Sequence, residues 1–215
     1  LKNIKNLEIK TRTSVAAYHQ YNYLLARENL TDHLEKKDKT NKIRQRLLKI
    51  RAKKVILATG ALERPMVFNN NDRPGIMLSS AIKKYSDFYG VACGRKIVFF
   101  TNNDSAYESA LSLNDKGIKV EAVVDIRKQS ETNLEKRVID AGIKIYWEHT
   151  VIDTSGYKRL NNVSIMKLSN DGTSVTGNKI SISCDCLGVA GGWTPAVHLY
   201  TPVSYTHLRA HETDR

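Results

Sequence analysis

Residues 96–101 read Lys-Ile-Val-Phe-Phe-Thr, a short and continuous apolar run. That pattern predicts a strand buried on both faces. Next, Ala106, Ala110, Leu111 and Leu113 recur at helical spacing. Residues 104–116 therefore read as an amphipathic helix closed by Gly117. The same alternation repeats: an apolar run over 120–126, helical spacing over 132–141 closed by Gly142, and another apolar run over 143–148. Strand, helix, strand, helix, strand at this pitch predicts a right-handed βαβαβ unit. Residues 163–168 and 179–184 flank the turn-rich NDGTSVTGN and read as a hairpin.

Two apolar runs with a shared ending bracket this unit. Residues 55–58 run into Thr59-Gly60, and residues 187–190 into Gly191-Gly192. Each predicts a buried strand that breaks into a glycine turn. Upstream, 7–13 alternates as a strand, and the tyrosine-rich 15–23 reads as a strand turning back. The polar stretch 29–42 predicts a loop or hairpin tip, and 46–51 a returning strand. Residues 78–89, with Leu78, Ile82, Tyr85 and Tyr89 spaced helically, predict a helix. The whole predicts an α/β fold in which one Rossmann-like domain is inserted into another dinucleotide-binding domain. Residues 1–93 are then the later part of the first domain, 94–186 the insert, and 187–201 the return.

Glycine belongs at such strand ends because a cofactor's backbone lies against the main chain there. The first strand of the insert, however, leads into TNNDSAY (residues 101–107) rather than a Gly-x-Gly-x-x-Gly turn. Asn102, Asn103 and Asp104 suit a helix start but leave no room for a phosphate. Asp125 ends the second strand, where a ribose-binding acid belongs. Without the glycine turn, the expectation is that this second crevice is structural. No Gly-rich phosphate turn opens the chain, so the one serving the first domain is expected upstream.

Charge changes the picture little. The 215 residues carry a net +12, of which the first 54 hold +10 and the other 161 only +2. The excess peaks in EKKDKTNKIRQRLLKIRAKK, where apolar residues interleave with the basic ones as on a solvated strand pair. A basic nucleic-acid-binding module is the reading from another class, with no aromatic platform or Arg-rich recognition helix behind it. A surface facing a partner subunit is the other role for this segment. No apolar run reaches the length that spans a membrane. Three cysteines without a Cys-x-x-Cys pair suggest a reducing, cytoplasmic setting. Cys184 and Cys186 read as packing residues on one face of a strand, and His198 as a core histidine. Arg64 and Arg73 could reach a phosphate or pair with Glu63 and Asp72. The closing string VSYTHLRAHETD resembles a translated sequencing-adapter read-through, so residues 202–215 are expected to be an artefact tail and the chain an internal piece of a longer one. His207 and His211, spaced i,i+4, are set aside with it, and no metal site is expected.

Four strings carry a family resemblance: ATGALERPMVFNNNDRPGIMLSSA, TRTSVAAYHQYNY, VFFTNNDSAYESAL and GGWTPAVHLY. Through them the chain resembles the α subunit of heterotetrameric sarcosine oxidase over nearly its whole length. NNDRPG and FTNNDSAY are the most specific. The resemblance implies a glutathione-reductase-like flavoprotein fold with two dinucleotide-binding domains. It implies oxidative demethylation, in which sarcosine, oxygen and tetrahydrofolate give glycine, hydrogen peroxide and methylene-tetrahydrofolate. Amine oxidation would occur at FAD on the β subunit, and oxygen reduction at FMN on the α/β interface. Non-covalent NAD would sit on this subunit, tetrahydrofolate on a downstream domain, and β, γ and δ subunits would be partners. The piece itself would bear no catalytic residue and be inactive alone. By the same resemblance Val15, Thr59, Gly60, Thr194, Leu199 and Thr201 would contact NAD. Core packing equally explains Val15 and Leu199, and turn capping Thr59. The alternative within the class is a related opine or cyanide-producing amino-acid dehydrogenase component, which lacks NNDRPG.

Overall fold

The computed structural model describes residues 4–35 and 42–199. The chain divides into two compact units. One is Ala61–Thr194; the other joins the residues up to Gly60 with those from Pro195 on.

In the latter, β1 (Thr13–His19), β2 (Tyr23–Asn29) and β3 (Gln45–Arg51) form an antiparallel sheet in that order. The expected strand over 7–13 does not form; pairing begins only at Thr13, opposite Glu28. The strand expected over 15–23 is instead a hairpin. His19 pairs with Tyr23 across a turn in which Tyr21 and Asn22 have positive φ. Leu24 and Ala26 are buried, and β3 is exposed along most of its length. Part of the basic excess is neutralised here: Arg44 pairs with Asp32 at 2.7 Å and Arg46 with Glu28 at 3.5 Å. Residues 55–58 are not a strand, and Ile56 is 92% exposed. An apolar run becomes a strand only where neighbours supply ladder bonds, and among the described residues no strand pairs with it.

The unit Ala61–Thr194 is a three-layer stack. Its centre is a parallel sheet of β5 (Ile76–Leu78), β6 (Lys96–Thr101), β7 (Lys119–Asp125), β8 (Lys144–Trp147) and β12 (Cys186–Ala190), ordered β5-β12-β6-β7-β8. Helices α1 (Ser79–Tyr89), α2 (Ser105–Asn114) and α3 (Asn133–Asp140) cover one face. Ile82, Ala106, Ala110 and Val138 pack there on Ile97, Phe99 and Val123. The antiparallel sheet of β9 (His149–Ser155), β10 (Asn162–Leu168) and β11 (Val175–Ser183) covers the other face. Val151, Val163 and Ile165 pack there on Val98, Phe100 and Val124. Successive residues of β6 thus enter opposite cores, which is why its sequence is apolar at every position from Ile97 to Phe100. A two-stranded ribbon of β4 (Ala61–Glu63) and β13 (Trp193–Pro195) completes the elements.

Residues 76–78 and 187–190 lie in one sheet with β6, and the ladder between β12 and β6 joins residues 89 apart in sequence. Two expectations change. Cys184 and Cys186 do not share a face: Cys186 enters the helix-side core and Cys184 the other. Asp185 between them is pinned to the start of β6, where its carboxylate accepts the Arg95 and Lys96 N–H groups at 2.8 and 2.9 Å. His198 is exposed, not core.

Candidate functional site

In open α/β sheets ligands bind beyond the carboxyl ends of the strands. Here the edge above β6, β7 and β12 is closed by the chain itself. Thr101 donates its hydroxyl to Asn103 O at 2.7 Å and accepts the Asn103 N–H at 3.0 Å. The Asn103 amide donates to Ala190 O at 3.0 Å, and its carbonyl accepts the Ser105 N–H at 3.1 Å. The asparagines that stand where glycines would admit a phosphate therefore hold the loop shut.

Asp125 is fully engaged. It is 1% exposed and accepts the Tyr107 hydroxyl at 2.8 Å. Arg127 folds back on it with its backbone N–H at 2.8 Å and its guanidinium at 2.8 Å, and reaches Asp104 at 2.8 Å. Burial, then the Asp125 charge, pushes the Tyr107 phenol up from its usual range, so it stays a donor. An acid with every lone pair spoken for has none to offer a ribose hydroxyl. The position for a ribose-binding acid is thus taken up by bonds within the chain.

The Gly191-Gly192 turn is filled as well. Arg64 donates its N–H to Gly192 O at 2.8 Å and accepts the Gly191 N–H at 2.7 Å. A Cβ on Gly191 would lie 2.8 Å from Arg64 O and 2.9 Å from Pro65 O. The glycine makes room for the chain's own backbone, not for a cofactor.

Thr59-Gly60 differs. Gly60 has φ +75°, and a Cβ there would meet nothing within 4 Å. The Gly60 carbonyl accepts the Ala196 N–H at 2.9 Å, and the Thr59 hydroxyl donates to Ala196 O at 2.5 Å. A groove of about 290 Å³ lies along Leu57–Gly60 and Pro195–Val197. It has open main chain and a backbone turn to anchor it, which suits one wall of a phosphate or ribose seat.

Residues 8–211 match the family described as pyridine nucleotide-disulphide oxidoreductase. The chain belongs to that family. Among curated relatives, sarcosine oxidase subunit alpha of Corynebacterium sp. (strain P-1) is 39% identical over 192 residues, 88% of this chain and 19% of its own. That of Rhizobium meliloti (strain 1021) is 34% identical over 199 residues, 93% of this chain and 19% of its own. The chain thus spans about a fifth of the length of the curated relatives it matches. Among solved structures, T. acidophilum thioredoxin reductase superposes with a TM-score of 0.56 at 16% identity, covering 74% of this chain and 51% of its own. That likeness speaks to fold: the two-dinucleotide-binding-domain architecture of this oxidoreductase family.

Of the residues expected at a cofactor, the structure brings Thr59 and Gly60 together in one groove. Leu199 lies in a half-buried turn three residues past Ala196. Val15 is 41% exposed on β1, opposite Ala26. Thr194 is exposed on β13, and Thr201 lies outside the described residues, as does the tail over 202–215. Arg64 and Arg73 are both used locally, Arg64 through its backbone and Arg73 through a bond from its guanidinium to Gly156 O. Sequence reasoning missed Ala196, Tyr107 and Arg127. Arg127 lies two residues past Asp125, a local signal for a self-paired acid. Ala196 left none, because only its backbone is used. No helix among the described residues is long and apolar enough to cross a membrane.

Proposed function

We propose that the chain is the cofactor-holding part of a sarcosine oxidase α subunit. The 39% identity over 88% of the chain to a protein of that name supports this reading. The complete reaction would convert sarcosine, oxygen and tetrahydrofolate to glycine, hydrogen peroxide and methylene-tetrahydrofolate. Amine oxidation would take place on FAD of a β subunit, with γ and δ subunits completing a cytoplasmic complex. FMN would lie at the interface with β, and tetrahydrofolate on a domain that follows this one.

NAD would be held on this subunit without a covalent bond and supply a bound dinucleotide, not a reacting centre, for this chain's residues. The open Gly60 turn fits its pyrophosphate side, with Thr59 and Ala196 fixing the turn. Val15, Thr194, Leu199 and Thr201 are the further proposed contacts. The exposed 55–58 run would become a strand when the rest of the first domain pairs with it. Residues 94–186 would then be the inserted scaffold, its crevice closed by Asp125, Tyr107 and Arg127.

The test is a full-length α chain expressed with β, γ and δ subunits. Peroxide formation from sarcosine, and NAD released on denaturation, are the expected results. A complex that oxidised opines and ignored sarcosine would overturn the reading in favour of a related dehydrogenase component.

A further inference from the structure

The N-terminus of a helix normally favours an anion, through its free N–H groups and its dipole. At the head of α1 that seat is already taken. Glu63, from β4, is 7% exposed, and its Oε2 accepts the Ser80 N–H at 2.8 Å. The cap residue, Leu78, offers no side-chain bond of its own. The other oxygen, Oε1, is buried and finds no hydrogen-bond partner among the described residues. A buried carboxylate oxygen without a donor is costly. The seat's polarity is therefore inverted: a second anion is repelled, and a donor is called for.

A cavity of about 410 Å³ runs from this point along α1, from Ser80 to Phe88, beside the first turn of α2. Glu63, Phe88 and Trp193 line it. Phe88 is 77% exposed and Trp193 43%, so two large aromatic side chains with free surface share the cavity with the carboxylate. Aromatic faces and a carboxylate together are the chemistry that recognises an alkylammonium group. Of the other charged residues lining it, Asp87 is paired with Lys116, which leaves Glu63 and Glu108 balanced by Lys83 and Lys84.

We infer that this cavity binds a small ammonium ion with an apolar body, its N–H directed to Glu63 and its body against Trp193 and Phe88. Gly60, Asp125 and Arg127 are not among its lining residues.

The test is calorimetric titration of the full-length α chain with benzylammonium, benzyl alcohol and benzoate. Benzylammonium is expected to bind at least about tenfold more tightly than the other two, the scale of a hydrogen bond to a charged group. Glu63→Gln keeps an acceptor for the Ser80 N–H and should erase the preference for the cation. Trp193→Leu leaves the helix cap alone and should weaken benzylammonium and benzyl alcohol alike. Absence of benzylammonium binding at millimolar concentration, binding unchanged in Glu63→Gln, or tighter binding of benzoate would each overturn the inference.

Discussion

Two glycine turns follow apolar runs in this chain, and they do opposite things. At Gly60 the space that a side chain would occupy is empty, and the backbone is in the left-handed region. At Gly191 the same space is filled by the carbonyls of Arg64 and Pro65, under 3 Å away. The first turn is a surface open to a ligand; the second is a crossing of two stretches of one backbone. A short apolar strand followed by glycine reports only that something comes close to the main chain. It does not report what.

The largest expected effect lies on the closed side. Asp125→Ala leaves the Tyr107 hydroxyl without its partner and the Arg127 guanidinium with Asp104 alone. The Ala61–Thr194 unit should lose about 3 kcal/mol, the lower range for a broken buried pair because Arg127 keeps some solvent. A fall in urea midpoint with unchanged slope measures it. An unmoved midpoint would mean that the network does not hold the crevice shut. Tyr107→Phe, which removes one donor to the buried carboxylate, should cost about 2 kcal/mol in the same assay.

Gly191→Ala should cost about 2 kcal/mol, because backbone atoms must move to admit the Cβ. Gly60→Ala meets no atom and should cost about 1 kcal/mol, the strain of a left-handed alanine. The contrast sharpens on NAD. Gly60→Ala should lower the NAD retained by the full-length complex several-fold, and Gly191→Ala should leave it unchanged once the protein is folded. Equal losses of NAD would dissolve the distinction between the two turns.

The smallest effect concerns the two cores. Burial, with the Asp185 charge second for Cys184 and Cys93 second for Cys186, pushes both thiols up to about 12. Alkylation of the native protein at pH 8 should therefore stop at Cys93, read by mass spectrometry. Because these folded-state values are raised, the protonated thiols favour folding below the ordinary thiol range. That contribution fades as pH climbs from about 8.5 toward 12. Alkylation of Cys184 at pH 8 would show that its core opens.

Much of the insert was legible in the sequence. The expected strand over 96–101 coincides with β6, and the helices expected over 104–116 and 132–141 are α2 and α3 within two residues at each end. Period and closing glycines are local signals, and these elements form from local rules. The strand β9 was not legible, since it continues from β8 through Glu148 at positive φ without a turn residue to mark the break. The expected strand over 55–58 failed for the opposite reason. Its residues suit a strand, but pairing is a property of neighbours.

By itself the sequence determined which segments are apolar on both faces, where helices end, and that the loop after β6 lacks glycines for a phosphate. It also carried, in NNDRPG and FTNNDSAY, the resemblance to sarcosine oxidase α subunits. The tertiary structure showed what NNDRPG does locally: the Asn70 amide donates to Asp153 at 2.8 Å, tying the loop to β9. The tertiary structure alone decided that Asp125 is spent on Tyr107 and Arg127, that Gly191 is filled, that Gly60 is open, and that Glu63 inverts the head of α1. Each of these depends on atoms brought together from distant positions. Hydrogen-bond capacity and free volume are sums over such neighbours, and no local pattern of residues contains them.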